Sequence, residues 1–251
     1  MLRITLGAVL TLLTVLTALP AGADPIPVVY TEGIGRGFPV LRALNGEKLA
    51  QGELIQIPRR DDVVENRLVF RFKDGSRYEE RVVFSQRDVF TLLSYRILQE
   101  GPSFPETLEA TVDRATGRYR VRHRADEDSP EETLSGEVTL PADVYNGLLS
   151  TLMKNLPEGD SRVVQVVAFT PRPHMVKMLL TPAAQDPLKV NGASVQATRF
   201  LIRPQLGLLA SLLVTDLPDV KCWIAGGEAP AFLRFEGPLY FMGPVWRIDW
   251  S

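Results

Sequence analysis

With two histidines and one cysteine in 251 residues, this chain offers few positions for acid–base, nucleophilic or metal chemistry. His123 and His174 could act as general bases or ligands, and Cys222 as a nucleophile. The spacing around them supports none of these. There is no His-x-x-x-His, no Cys-x-x-Cys and no carboxylate cluster of ligand spacing, so no metal site and no cofactor is expected. The Gly-x-Ser-x-Gly and Ser-x-x-Lys signatures of serine hydrolases are also absent, and no catalytic residue is assigned. Cys222 sits in the apolar run Val220-Lys221-Cys222-Trp223-Ile224 and reads as a buried, inert thiol. His174 follows Pro171-Arg172-Pro173 and reads as a surface residue. Gly33-x-Gly35-x-Gly37 resembles a phosphate loop but lacks the Gly-x-Gly-x-x-Gly spacing, and no helical pattern follows it. A flexible lead-in to the first strands is expected there instead.

Glu80 stands out because of its neighbours. In residues 77–86, Tyr78, Val82 and Phe84 share one face of an alternating strand, and Glu80 falls on that face with them. A carboxylate among apolar side chains is costly unless it is paired or reaches a rim. Glu80 could therefore be a strand-end residue in solvent, part of a buried polar network, or a group that orients a ligand.

Period-two alternation of this kind dominates the chain. In residues 67–73, Leu68, Phe70 and Phe72 face one way, and Arg67, Arg71 and Lys73 the other. A two-residue loop at Asp74-Gly75 would set this apolar face against the polar face of the next strand. The three-residue loop Lys73-Asp74-Gly75, with Gly75 left-handed, instead places Phe70 opposite Tyr78. A four-residue loop at 114–117 likewise pairs Asp113 with Arg118 and Glu109 with Arg122 on one face. On the other face it pairs Val112 with Tyr119, Ala110 with Val121 and Leu108 with His123, which makes His123 a satisfied core or edge residue. Further strands are expected at 52–57, 91–99, 133–140, 163–170, 175–181, 193–203, 221–224 and 231–236, and at 239–250 with a break near Gly243-Pro244. Asn191-Gly192 marks a tight turn.

One segment follows helical spacing instead: Val144, Tyr145, Leu148, Leu149, Leu152, Met153 and Leu156 after Pro141. Residues 206–214 are apolar and ambiguous between helix and strand. The fold class expected is mainly β (α+β by count): a strongly curved antiparallel sheet or open barrel of about ten strands, with one central covering helix. No linker divides it, so residues 24–251 form a single domain.

The amino-terminal residues indicate the compartment. Arg3, an apolar run from Ile4 to Leu19, Pro20 and the small residues Ala21-Gly22-Ala23 have the layout of a cleaved signal peptide, residues 1–23, cut before Asp24. The run is too short to favour a permanent span, so an exported, periplasmic or secreted protein is expected, with no integral membrane span after cleavage. About 228 residues remain, enough for one large core. A formal net charge of −2 gives no support to nucleic-acid binding. A membrane β-barrel fits the alternation loosely, but the amphipathic helix, the charged strand ends and the closing Trp250-Ser251 fit it less well.

The signal, the strand-rich first half, the helix at 141–156 and the terminal strands with Trp223-Ile224 and Pro244-Val245-Trp246-Arg247-Ile248 together resemble, in layout, bacterial periplasmic half-barrel carriers of the LolA/LolB kind and related exported β-proteins. That resemblance implies a curved sheet around a helical plug, with an apolar cavity for acyl chains. The leading expectation is a non-enzymatic protein that binds a lipid-like ligand or an envelope component. Its ligand-lining candidates are Phe70, Phe72, Tyr78, Glu80, Phe84, Trp223 and Trp246. The alternatives are an envelope scaffold with a solid core that recruits a protein partner through an edge strand or the 118–124 arginine face, and a hydrolase using His123 or His174.

Overall fold

The computed structural model describes residues 25–190, 192–205 and 219–250. The expected leader at 1–23 and the ambiguous run at 206–214 lie outside the described residues. The first half of the chain forms β1 (Gly35–Gly37), β2 (Pro39–Ala43), β3 (Lys48–Pro58), β4 (Val63–Phe72), β5 (Arg77–Ser85), β6 (Thr91–Glu100), β7 (Thr107–Asp113), β8 (Arg118–Arg124) and β9 (Glu132–Glu137). A short helix, α1 (Leu149–Asn155), follows. The second half forms β10 (Arg162–Phe169), β11 (Pro173–Val190), β12 (Ala193–Pro204), β13 (Val220–Ala225), β14 (Ala231–Gly237) and β15 (Trp246–Trp250).

All fifteen strands belong to one antiparallel sheet, mainly β in content and not closed, which corrects the expected ten. The strand segments read from the sequence outnumber that expected total, and the observed strands with no counterpart among them are β1 and β2, whose sequences Gly-Arg-Gly and Pro-Val-Leu-Arg-Ala are too short to show alternation. The order is β10-β11-β12-β13-β14-β15-β2-β3-β4-β5-β6-β7-β8-β9, with β1 also on β3. Consecutive strands therefore pair throughout, apart from the short β1, except at one place. The edges β9 and β10 are consecutive in sequence but not hydrogen-bonded to each other. The connection between them carries α1.

Both hairpin registers agree with the sequence reading. Phe70 pairs with Tyr78, and Gly75 has φ +88°. Glu109 pairs with Arg122, Ala110 with Val121, Val112 with Tyr119 and Leu108 with His123. Val190 pairs with Ala193 across the expected tight turn.

The helix is shorter than its apolar spacing suggests. Residues 143–146 instead lie along the β10 edge, with turns on either side of a single bridged residue. Val144 bridges Gln165 in parallel. The Asn146 amide donates to the Val167 carbonyl and accepts from its N–H, both at 2.8 Å. Arg114 donates to the Leu140 and Pro141 carbonyls at 2.7 and 2.9 Å, fastening the start of this strap to the β7–β8 end of the sheet. Val144, Tyr145 and Leu148 are fully buried, because the strap is covered by sheet on both sides and not on one face only.

The curvature is visible in the core. One cluster joins Val82, Phe84, Leu108 and Val121 from β5, β7 and β8 to Val164, Leu180, Ile202 and Cys222 from β10–β13, with Leu148 and Leu152 between them. The two arms of the sheet thus face each other across the strap and α1. A second cluster, near β15, β2 and β3, holds Leu41, Phe70, Phe72, Tyr78, Phe104 and Trp246. Its rings meet edge to face, Phe72 lying 5.4 Å from Phe104 and Tyr240 5.9 Å from Trp246. Burial of these two apolar sets holds the sheet curled.

Candidate functional site

A cavity of about 690 Å³ lies between the two clusters, under α1. Tyr78 and Ile248 line it from one cluster, and Val82, Met153, Ile202 and Cys222 from the other. Leu54, Leu68, Phe232, Phe235 and Leu239 complete an apolar wall. The volume falls within the roughly 300–1,000 Å³ range of small-molecule sites.

The polar groups of the floor come from β4 and β5, while Glu32, Arg36, Gln56 and the α1 residues Ser150, Thr151 and Lys154 also line the cavity. Alternation brings Asn66 and Leu68 of β4, and Tyr78, Glu80 and Val82 of β5, to the concave face. Glu80 pairs with Leu68 on one side and Ile97 on the other, in mid-sheet and not at a strand end. Its Oε1 accepts a 2.8 Å hydrogen bond from the Tyr95 hydroxyl. Burial pushes the Glu80 carboxyl above its ordinary range, and the Tyr95 hydrogen bond only partly offsets this. Burial, with the Glu80 charge second, holds the Tyr78 and Tyr95 phenols well above theirs. The Asn66 Oδ1 is buried and has no hydrogen-bond partner among the described residues.

The rim differs from this floor. Lys154 of α1 pairs with Glu32, and Gln56 Nε2 donates to Glu32 at 3.0 Å. Arg36 pairs with Glu53 at 2.7 Å. Asn155 Oδ1 accepts from the Val29 and Tyr30 amides at 2.8 and 2.6 Å, tying the amino-terminal segment to the end of the helix. Of the charged side chains lining the cavity, Glu80 alone has no ionic partner among the described residues.

Of the seven residues expected to line a ligand site, Tyr78 and Glu80 border this cavity. Phe70, Phe72 and Trp246 pack in the aromatic cluster and Phe84 in the main core. Trp223 follows the cavity-lining Cys222 along β13 and so points to the other face. There it lies under the Arg234 guanidinium, 5.8 Å from the ring centroid, and donates to Asp186 at 2.8 Å. The sequence reading missed Asn66, Gln56 and Gly147. Asn66 was within reach of it, since the alternation through Leu68, Phe70 and Phe72 continues back to position 66.

The other sequence candidates lie elsewhere. His123 Nε2 is 2.6 Å from Glu106 Oε2 at the β7–β8 hairpin, and His174 is exposed on β11. Neither borders the cavity. Gly35 and Gly37 form β1 against β3. No group of His, Cys, Asp or Glu suited to a metal occurs among the described residues, and none of their helices is long and apolar enough to cross a membrane. Burial raises the Cys222 thiol, which disfavours the nucleophilic thiolate.

Comparison with known proteins matches this chain to no family model, no curated protein and no solved structure. The class is therefore defined by architecture alone: an open, curled antiparallel sheet with an internal strap, a short helix and an apolar cavity between two cores.

Proposed function

We propose that this is an exported, non-enzymatic binding protein that holds a lipid-like ligand in the cavity under α1. The observation that carries the reading is the cavity itself: an apolar wall with a small polar group on its floor. Export rests on the signal-like residues 1–23. Affinity would come from burying ligand chain against Leu54, Leu68, Ile202 and Phe235, at about 25 cal/mol per Å² of apolar surface before the costs of association.

The direct test is native mass spectrometry of protein purified from its producing cells, followed by organic extraction. A co-purifying lipid supports the reading. A clean protein mass with no uptake of added fatty acid, alcohol or phospholipid overturns it.

Cys222 provides a second test, because the single cysteine of the chain lines the cavity. Alkylation by a small maleimide is expected to be slow in the free protein, and several-fold slower when n-decanol saturates the cavity. An alkylation rate unchanged by saturating decanol would place the ligand elsewhere.

A further inference from the structure

On the cavity floor, beside the Tyr78 hydroxyl, Glu80 and Asn66 present acceptor oxygens with unused capacity. Glu80 Oε1 is engaged by Tyr95, while no hydrogen bond from the described residues reaches its second oxygen. Asn66 Oδ1 is buried and has no partner among the described residues. Asn66 pairs with Val82, and Leu68 with Glu80, so Asn66 and Glu80 are diagonal neighbours on adjacent strands. That places them about 7–8 Å apart along the backbone, a gap that one small donor group between the two side chains can span. Buried acceptors left unpaired are costly, and a ligand that supplies the missing donors removes that cost.

The rim adds the second half of the selection. The two cations that the described residues place there are already committed, Lys154 to Glu32 and Arg36 to Glu53. A carboxylate-headed chain would meet no free cation and would face Glu80. A hydroxyl would supply one donor and no charge. An ammonium has three donors and a charge opposite to that of an ionised Glu80.

We propose that the cavity selects amphiphiles with a primary ammonium head, seated head-inward between Glu80 and Asn66 with the chain along Leu68, Ile202 and Phe235. This rests on the ligand-binding reading above and names the head group which that reading leaves open. Glu80 then acts as the counter-ion that discriminates among heads, while the apolar wall supplies most of the affinity.

The experiment compares n-decylamine, n-decanol and decanoate, each below its aggregation threshold at neutral pH, by titration calorimetry with the wild-type protein, Glu80→Gln and Asn66→Leu. In the wild type, decylamine is expected to bind about tenfold or more tightly than decanol, and decanoate weakest. Glu80→Gln should abolish the amine preference and leave decanol affinity within about twofold. Asn66→Leu should reduce the preference several-fold, independently of the charge. Equal binding of amine and alcohol, tightest binding of decanoate, or a preference that survives Glu80→Gln would overturn this proposal and leave the ligand-binding reading standing. Binding of none of the three would overturn both. Displacement of decylamine by lysophosphatidylethanolamine, and not by lysophosphatidylglycerol, would assign the ammonium to a lipid head group. Displacement by neither would assign it to a smaller amine, and displacement by both would overturn the proposed selectivity.

Discussion

Replacing Gly147 with alanine is expected to destabilise the protein by about 2–4 kcal/mol, from a left-handed backbone and an overpacked contact together. Gly147 has φ +67°, which glycine adopts freely and alanine does not. A Cβ built there would lie 2.2 Å from Val82 Cγ2, deep inside van der Waals contact, and 3.2 Å from Glu80 Cδ, a tight approach. The residue is the joint between the strap on β10 and the start of α1, and it brings the backbone directly over the polar floor of the cavity. Two causes acting at once can be separated. In a Val82→Ala background the steric part is relieved and the conformational part remains, so Gly147→Ala should cost less there than in the wild type. Denaturant unfolding of the four proteins in this cycle measures the difference. A cost below about 0.5 kcal/mol, or identical costs in the two backgrounds, would show that the strap does not sit where it is described.

The same joint explains where the sequence was readable and where it was not. The hairpins at 67–86 and 107–124 were legible because two independent signals agree there: apolar side chains match on one face in the same register that matches opposite charges on the other. The strap carries only one signal. Val144, Tyr145, Leu148, Leu152 and Met153 have the spacing of a helix buried on one side, but a segment enclosed by two arms of a sheet is buried whatever its conformation. What decides against helix before Leu149 is tertiary. The Asn146 side chain takes both backbone groups of Val167, and Val144 and Tyr145 bind along β10. Glycine weakens a helix wherever it falls, and Gly147 does more by leaving the helical region altogether. Glu80 was legible as an anomaly, an acid on an apolar face, but not as a cavity residue. That depends on strands that fold in from the far end of the chain, bringing Ile202, Cys222, Phe235 and Ile248 opposite it. The large aromatics were a poor guide for the same reason. Phe70, Phe72, Phe84 and Trp246 fill the interior, and the cavity is walled mainly by smaller side chains.

Replacing Glu79 with glutamine is expected to cost about 1–3 kcal/mol at neutral pH, with the cost fading in acid. Glu79 neighbours Glu80 in sequence but points to the opposite, convex face, where arginines surround it. Arg67 Nε and Arg96 Nη1 lie 3.0 and 3.3 Å from its Oε1, and Arg77 binds its Oε2. Its side chain is 6% exposed. The registers explain the crowding: Arg67, Arg81 and Arg96 form one cross-strand row, and Val69, Glu79 and Leu98 the next. Glu65 and Glu109 serve the same row, binding Arg81 at 2.7 Å and Arg96 at 2.7 Å. Without these carboxylates the guanidiniums would repel one another across the sheet. Burial pushes the Glu79 carboxyl up, but the hydrogen bond from Arg67 and the charges of Arg67, Arg77 and Arg96 outweigh it, and the carboxyl ends below its ordinary range. An acid held lower in the folded than in the unfolded state binds fewer protons when folded. Its stabilisation is therefore complete above the unfolded value, near 4.5, and is lost as pH falls through the folded one. Glu80 has the opposite sign: raised by burial, it favours the folded state in acid and subtracts stability as pH climbs above the ordinary range. Unfolding free energies of wild type and Glu79→Gln, measured from neutral pH down to pH about 3, should therefore converge as Glu79 takes up its proton. A gap that stays constant across that range would mean that glutamine disturbs packing and that the arginine cradle contributes little.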